Sequence, residues 1–167
     1  MKIRFGLLLL WIVAISLPSS AVSNDEVSSE PLSITVYKSP TCGCCKQWIA
    51  HLQEHGFNVL AVDSDDMTAV KAQYGVPDKL RSCHTARIGG YTIEGHVPAK
   101  DIIAMLENAP TTDGLSVPGM PVGSPGMEVG DRVDAYDVIQ FSAEGQEVVA
   151  SYGDAEEVRD STEQGSR

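Results

Sequence analysis

From residue 34 onward the chain alternates short apolar and polar blocks, and the period of each block predicts an element. Ile34 to Lys38 is a β-branched and aromatic run that reads as a strand, stopped by Ser39-Pro40. From Cys44 to about His55 the period changes: Cys45, Ile49 and Leu52 fall on one helical stripe, and Gly56 is a natural stop. Phe57 to Val62 is an apolar strand. Asp63-Ser64-Asp65-Asp66 then supplies capping oxygens for a second helix through Met67, Val70 and Tyr74, ended by Gly75-Val76-Pro77. Cys83 to Ile88 predicts a third strand, Gly89-Gly90 a tight turn and Tyr91 to Glu94 the returning strand. Pro98 stands where helices favour proline, at the first position of a third helix with Ile102, Ile103, Met105 and Leu106 on its apolar face. Met67 and Met105, at helical spacing with other apolar residues, are assigned to the core.

The order βαβαββα predicts a sheet with parallel strands at the first crossover, closed by an antiparallel hairpin and packed by helices. That is a thioredoxin-like α/β domain over residues 34–109. In this arrangement the turn between the first strand and its helix is the chemical centre. Beyond Asn108 the pattern changes. Thr111 to Gly130 is rich in Pro, Gly and Ser, so neither helix nor sheet is expected there. Asp137 to Phe141 and Glu147 to Tyr152 predict a hairpin, giving residues 110–152 as a methionine-containing loop and hairpin packed on the domain. Residues 153–167 form an acidic, polar tail expected to be disordered, and residues 22–33 a flexible lead-in.

The first residues predict a destination. Met1-Lys2-Ile3-Arg4 is basic, Phe5 to Leu17 is apolar but too short to span a bilayer, and Pro18-Ser19-Ser20-Ala21 ends in small residues. Residues 1–21 therefore read as a secretory signal peptide cut near Ala21–Val22; an uncleaved anchor is the alternative. Cleavage removes Lys2 and Arg4, taking 12 basic residues to 10 against 23 acidic ones, a net charge of −13. Nucleic acid and anionic lipid are excluded as partners by that balance. No membrane association is expected after cleavage.

Candidate chemistry concentrates in Cys42-Gly43-Cys44-Cys45-Lys46, which holds three of the four cysteines. At the start of a helix, unpaired N–H groups and the positive end of the helix dipole favour thiolate over thiol. A cluster of acidified sulfurs suits a soft metal or disulfide exchange. Cys42 and Cys45 also satisfy Cys-x-x-Cys, so a thiol–disulfide oxidoreductase with Cys42 as nucleophile and Cys45 as resolving thiol stays open. So does a purely structural disulfide. The loop leading into the third strand lies beside this turn in a thioredoxin-like fold, and Cys83-His84 comes straight after it. The constellation is then four sulfurs and one imidazole. Met120 and Met127, in Pro118-Gly119-Met120-Pro121 and Pro125-Gly126-Met127, are soft thioethers suited to Cu(I), or adaptable plugs that seat the loop. His96 is a minor candidate. His51 and His55, four apart without acids at ligand spacing, are taken as a solvated helix face.

With these residues assembled, the chain resembles the CopG-type periplasmic copper-resistance proteins. The resemblance runs from about Ile34 to Tyr152. It rests on Cys42-Gly43-Cys44-Cys45, on Cys83-His84-Thr85-Ala86, on Gly90 through Pro98, and on the two Pro-Gly-Met segments. It implies a thioredoxin-like fold, a copper centre favouring Cu(I), including several ions, and interconversion of Cu(I) and Cu(II) in the periplasm. The implied ligands are Cys42, Cys44, Cys45, Cys83 and His84, with Met120 and Met127 as a lid or supplementary ligands. The implied partners are copper ions and other periplasmic copper-handling proteins.

Overall fold

The computed structural model of the chain describes residues 32–153. The expected signal peptide, all but the last residues of the lead-in, and the acidic tail beyond Gly153 lie outside the described residues. No helix among the described residues is long and apolar enough to cross a membrane.

The first strand, β1 (Ser33–Lys38), alternates as its sequence requires, with Ile34, Val36 and Lys38 inward. Lys38 reaches the rim and pairs with Asp63. The helix α1 (Gly43–Glu54) follows and buries Cys45, Trp48 and Leu52. β2 (Asn58–Asp63) returns parallel to β1, completing a crossover. α2 (Met67–Gln73) is capped by the Asp66 carboxylate, which accepts from the Ala69 N–H at 2.9 Å. A single 3₁₀ turn, Asp78–Leu80, then leads to the hairpin of β3 (Thr85–Ile88) and β4 (Tyr91–Glu94). α3 (Ala99–Asn108) closes this part. The strand order β2-β1-β3-β4, with β1 parallel to β2 and antiparallel to β3, matches the predicted α/β topology and is compatible with a thioredoxin-like fold.

Several boundaries differ from expectation. β3 starts at Thr85, so Cys83 and His84 lie in the approach to the strand rather than in it. Pro98 is the cap of α3 rather than its first residue. The buried residue of α2 is Lys71, while Met67 is only half-buried at the helix start.

The larger difference lies in the Pro/Gly/Ser-rich region, where the sequence predicts no regular structure. Gly114–Ser116 forms β5, parallel to β4. A Cβ at Gly114 would fall 1.7 Å from the Thr92 carbonyl oxygen, so only glycine lets this strand pair so closely. β5 is the link by which β6 (Tyr136–Ser142) and β7 (Gly145–Tyr152) join the same sheet, giving seven strands in the order β2-β1-β3-β4-β5-β6-β7. One continuous core runs beneath it, from Ile34, Val36 and Ala86 through Ile93 to Leu115 and Val138. Trp48, Leu52, Ile102 and Met105 fill it from the helices.

Candidate metal centre

Three cysteines are set by the first turn of α1. Cys42 is the N-cap, and its sulfur accepts the Cys45 N–H at 3.3 Å. Cys44 is half-buried and Cys45 wholly buried. The fourth, Cys83, arrives on the segment after the 3₁₀ turn and meets them. Cys42 and Cys45 form a disulfide, while Cys44 and Cys83 are free thiols. The Cys44 sulfur lies 3.5 Å from that of Cys42 and 3.8 Å from that of Cys83, and the Cys45 sulfur lies 3.6 Å from Cys83. Four sulfurs thus touch around a ring.

Two imidazoles extend the cluster on the Cys83 side. His84 Nδ1 and His96 Nε2 each lie 3.2 Å from the Cys83 sulfur. His96 Nδ1 lies 2.7 Å from the Pro125 carbonyl oxygen. That oxygen can only accept, so Nδ1 carries the hydrogen and the Nε2 lone pair faces the thiol. His84 is fully buried against Trp48, with ring centroids 4.3 Å apart, and its Nε2 has no hydrogen-bond partner among the described residues. The Trp48 indole N–H is fixed by the Val97 carbonyl at 2.8 Å.

Burial controls the charge state of these groups. It pushes the Cys83 thiol up to about 12, with the neighbouring Cys44 adding to the rise. Desolvation holds His84 well below its usual range, helped by the nearby His96 and Lys71. Burial also lowers His96, against the opposing pull of the Pro125 carbonyl. Both imidazoles are therefore neutral at pH 7, the form that donates a lone pair to a metal.

Below the thiols lies a buried ion pair that holds the Cys83 segment. Glu94 is fully buried, and its Oε1 accepts from Lys71 Nζ and from the Ser82 N–H, both at 2.6 Å. Its Oε2 accepts the Thr85 hydroxyl at 2.7 Å. One carboxylate thus grips both residues flanking Cys83-His84, from a position two residues before His96.

The two Pro-Gly-Met segments brace the site from outside. A Cβ at Gly126 would sit 2.6 Å from the Trp48 backbone nitrogen and 2.9 Å from the Cys44 carbonyl oxygen, so this loop lies directly on the first turns of α1. Gly119 pairs with the Arg81–Ser82 backbone; its N–H bonds the Arg81 carbonyl at 3.2 Å. Met127 is half-buried and Met120 is 54% exposed.

The structure therefore brings together Cys42, Cys44, Cys45, Cys83 and His84, and adds His96, only a minor candidate from its sequence position. Among the described residues, two overlapping groups have the spacing to hold a metal ion: the four cysteines, and Cys83 with His84 and His96. Soft sulfur combined with neutral imidazole is a donor set that fits copper. His51 and His55 do not join the cluster, but His51 is no mere solvated residue. Its Nε2 accepts the Ala99 N–H at 3.1 Å, capping α3 across the fold, while the exposed His55 stacks on it.

The comparisons with known proteins agree with this geometry. A family model described as a protein of unknown function, DUF411, matches residues 80–127, which contain Cys83, His84, Glu94, His96, Met120 and Met127. No curated protein sequence matches the chain. A solved structure titled copper resistance protein CopG, Form 2, is 52% identical, with a TM-score of 0.71; the match covers 74% of this chain and 100% of that one. The chain belongs to the CopG family. A second CopG structure, Form 1, also at 52% identity, gives a TM-score of 0.70 over 74% of this chain and 98% of its own. Membership of the CopG family and the cysteine cluster together give the chain a copper-related function.

Proposed function

We propose that the protein is exported to the periplasm, where it holds Cu(I) in a thiolate cluster and serves copper resistance or homeostasis. The observation that carries this reading is the ring of four sulfurs with two neutral imidazoles on one corner. Cys42, Cys44, Cys45 and Cys83 are the ligands, with His84 beside them and His96 as an addition. Thiolates bridge metal ions, so four of them support more than one Cu(I). Met127 and Met120 close the outer side as thioether donors suited to Cu(I). Export rests on the leader expected over residues 1–21.

A sulfur in a disulfide is not a thiolate, so the binding form is the reduced one. Cys42 and Cys45 must be opened before all four sulfurs can serve. Binding weakens as pH falls, because protons compete with the metal for the sulfurs. The protein also interconverts Cu(I) and Cu(II), with the same cysteines as the source of electrons.

The test is an anaerobic Cu(I) titration of the reduced chain against a colorimetric competitor. Cys45→Ser is expected to lower the number of Cu(I) ions bound while leaving the far-UV circular dichroism unchanged. Unaltered Cu(I) binding by that variant would sink the assignment.

The Cys42–Cys45 disulfide at the start of α1 favours a second reading, a thiol–disulfide oxidoreductase. Turnover in an insulin-reduction assay, together with failure of the reduced chain to bind Cu(I), would select it.

A further inference from the structure

The disulfide accounts for two of the four sulfurs and leaves Cys44 and Cys83 as thiols. These two face each other at 3.8 Å while the first disulfide is shut. A bonded pair stands at about 2.05 Å, so a second bond needs the two side chains to rotate together by less than roughly 2 Å. It does not need the first to reopen. Adjacent Cys44 and Cys45 are poorly placed to pair with each other. With Cys42 and Cys45 joined, Cys44 and Cys83 are the remaining couple.

We propose that Cys44 and Cys83 form a second redox pair, so that the reduced chain delivers four electrons to Cu(II) rather than two. This rests on the copper reading above. In each half, two S–H bonds break, one S–S bond forms, two protons leave, and two Cu(II) ions become two Cu(I). Both halves together convert four Cu(II) to four Cu(I) and release four protons.

The surroundings of the second pair suit this step. Cys44 and Cys83 are both half-buried, so neither thiol is sealed from an incoming ion. His96, with its Nδ1 hydrogen directed to Pro125, turns its Nε2 lone pair toward the Cys83 sulfur at 3.2 Å.

The consequence is a staged release. Closing Cys42–Cys45 removes two thiolates and leaves two that still hold Cu(I). Closing Cys44–Cys83 removes the last of them, leaving only imidazole and thioether donors. Reduction of copper and its expulsion are then one event, and an external thiol reductant must reopen both bonds before the chain binds again.

The experiment is an anaerobic titration of the fully reduced full-length chain with Cu(II), reading Cu(I) with bicinchoninate and free thiols with a maleimide label. Wild type is expected to yield four Cu(I) per chain and retain no thiol. Trypsin should then give residues 39–46 joined to residues 82–87 by a disulfide that fragmentation places on Cys44. Cys44→Ser and Cys83→Ser should each stop at two. An endpoint of two in the wild type with Cys44 and Cys83 still labelled overturns the proposal, as does recovery of Cys44 only in disulfides between chains. A Cu(I) titration of the reduced chain separates the two layers. Cu(I) bound with a Cu(II) endpoint of two defeats the second pair alone. No Cu(I) bound defeats the copper reading and, with it, the role of Cu(II) as the oxidant of these thiols. Oxidation by diamide checks the pair without metal: the same joined peptides support it, and their absence overturns it.

Discussion

Replacing Glu94 by Gln should be among the most damaging conservative changes in the protein, because it removes a charge without removing volume. The Lys71 and Glu94 side chains are 7% and 0% exposed, and the carboxylate is the counter-charge of the ammonium. In Glu94→Gln the Lys71 ammonium stays in the interior facing a neutral amide. Breaking one half of a buried pair costs about 3–5 kcal/mol, against a total stability of about 5–15 kcal/mol for a typical domain. The Ser82 N–H and Thr85 hydroxyl compete for the single amide oxygen, and a neutral acceptor bonds them less strongly than a carboxylate. Equilibrium urea unfolding of the disulfide form, followed by far-UV circular dichroism, measures the loss. The double variant Lys71→Met/Glu94→Gln discriminates cause, since it removes the orphaned charge and should recover most of the stability. Cys83 should also label faster with maleimide in Glu94→Gln, because Ser82 no longer pins its segment. A loss under about 1 kcal/mol, or a double variant no more stable than the single one, would refute the electrostatic account.

Further expectations follow from other contacts. His84, His96 and His51 all titrate below their usual range, chiefly through burial, so the unfolded chain takes up protons first as pH falls. Their contribution to stability is complete above about pH 6.5 and declines below it; melting temperatures of the metal-free disulfide form should therefore drop from about pH 7 to about pH 5. A flat profile would mean that these imidazoles accept protons in place. Gly126→Ala puts a side chain at φ +84° and against the Trp48 and Cys44 backbone, for a conformational cost of roughly 1–2 kcal/mol. Its loop should lift from α1 and Cu(I) should be lost more readily to a competitor; unchanged retention would separate the loop from the site. His51→Leu removes the cap on Ala99 and should destabilise the chain by about 1 kcal/mol in urea unfolding, with Cu(I) stoichiometry unchanged.

The elements up to α3 are legible in the sequence because each carries its own local signal. β1 alternates, α1 has a clean stripe, and Gly89-Gly90 marks its hairpin. β5 carries none. Gly114, Leu115 and Ser116 are all buried, so no alternation exists, and their surroundings are rich in turn formers. What makes them a strand is a contact far away in sequence, the fit of a missing side chain against Thr92. α2 misleads for a related reason. Its apolar positions suggest Met67 in the core, whereas its buried residue is Lys71, drawn inward by a carboxylate 23 positions later.

The site divides along the same line. The three cysteines on one turn and Cys83-His84 opposite them follow from spacing plus topology, and the structure brings them into contact. Histidines are harder to assign, because an imidazole's use depends on what each nitrogen meets. His96 has one nitrogen on Cys83 and the other on Pro125, and both contacts exist only after the β4–α3 turn and the methionine loop have closed. The pair with helical spacing, His51 and His55, instead spends its half-buried member on a helix cap. Spacing also satisfies Cys-x-Cys-Cys and Cys-x-x-Cys at once, which leaves metal binding and disulfide chemistry as rivals. In the folded chain, all four sulfurs keep contact even with one disulfide shut. A bound-metal state and a disulfide state can therefore share one geometry. If the protein holds and reduces copper as proposed, they are two oxidation levels of one site, and the number of thiols still free at any moment determines how much copper the protein retains.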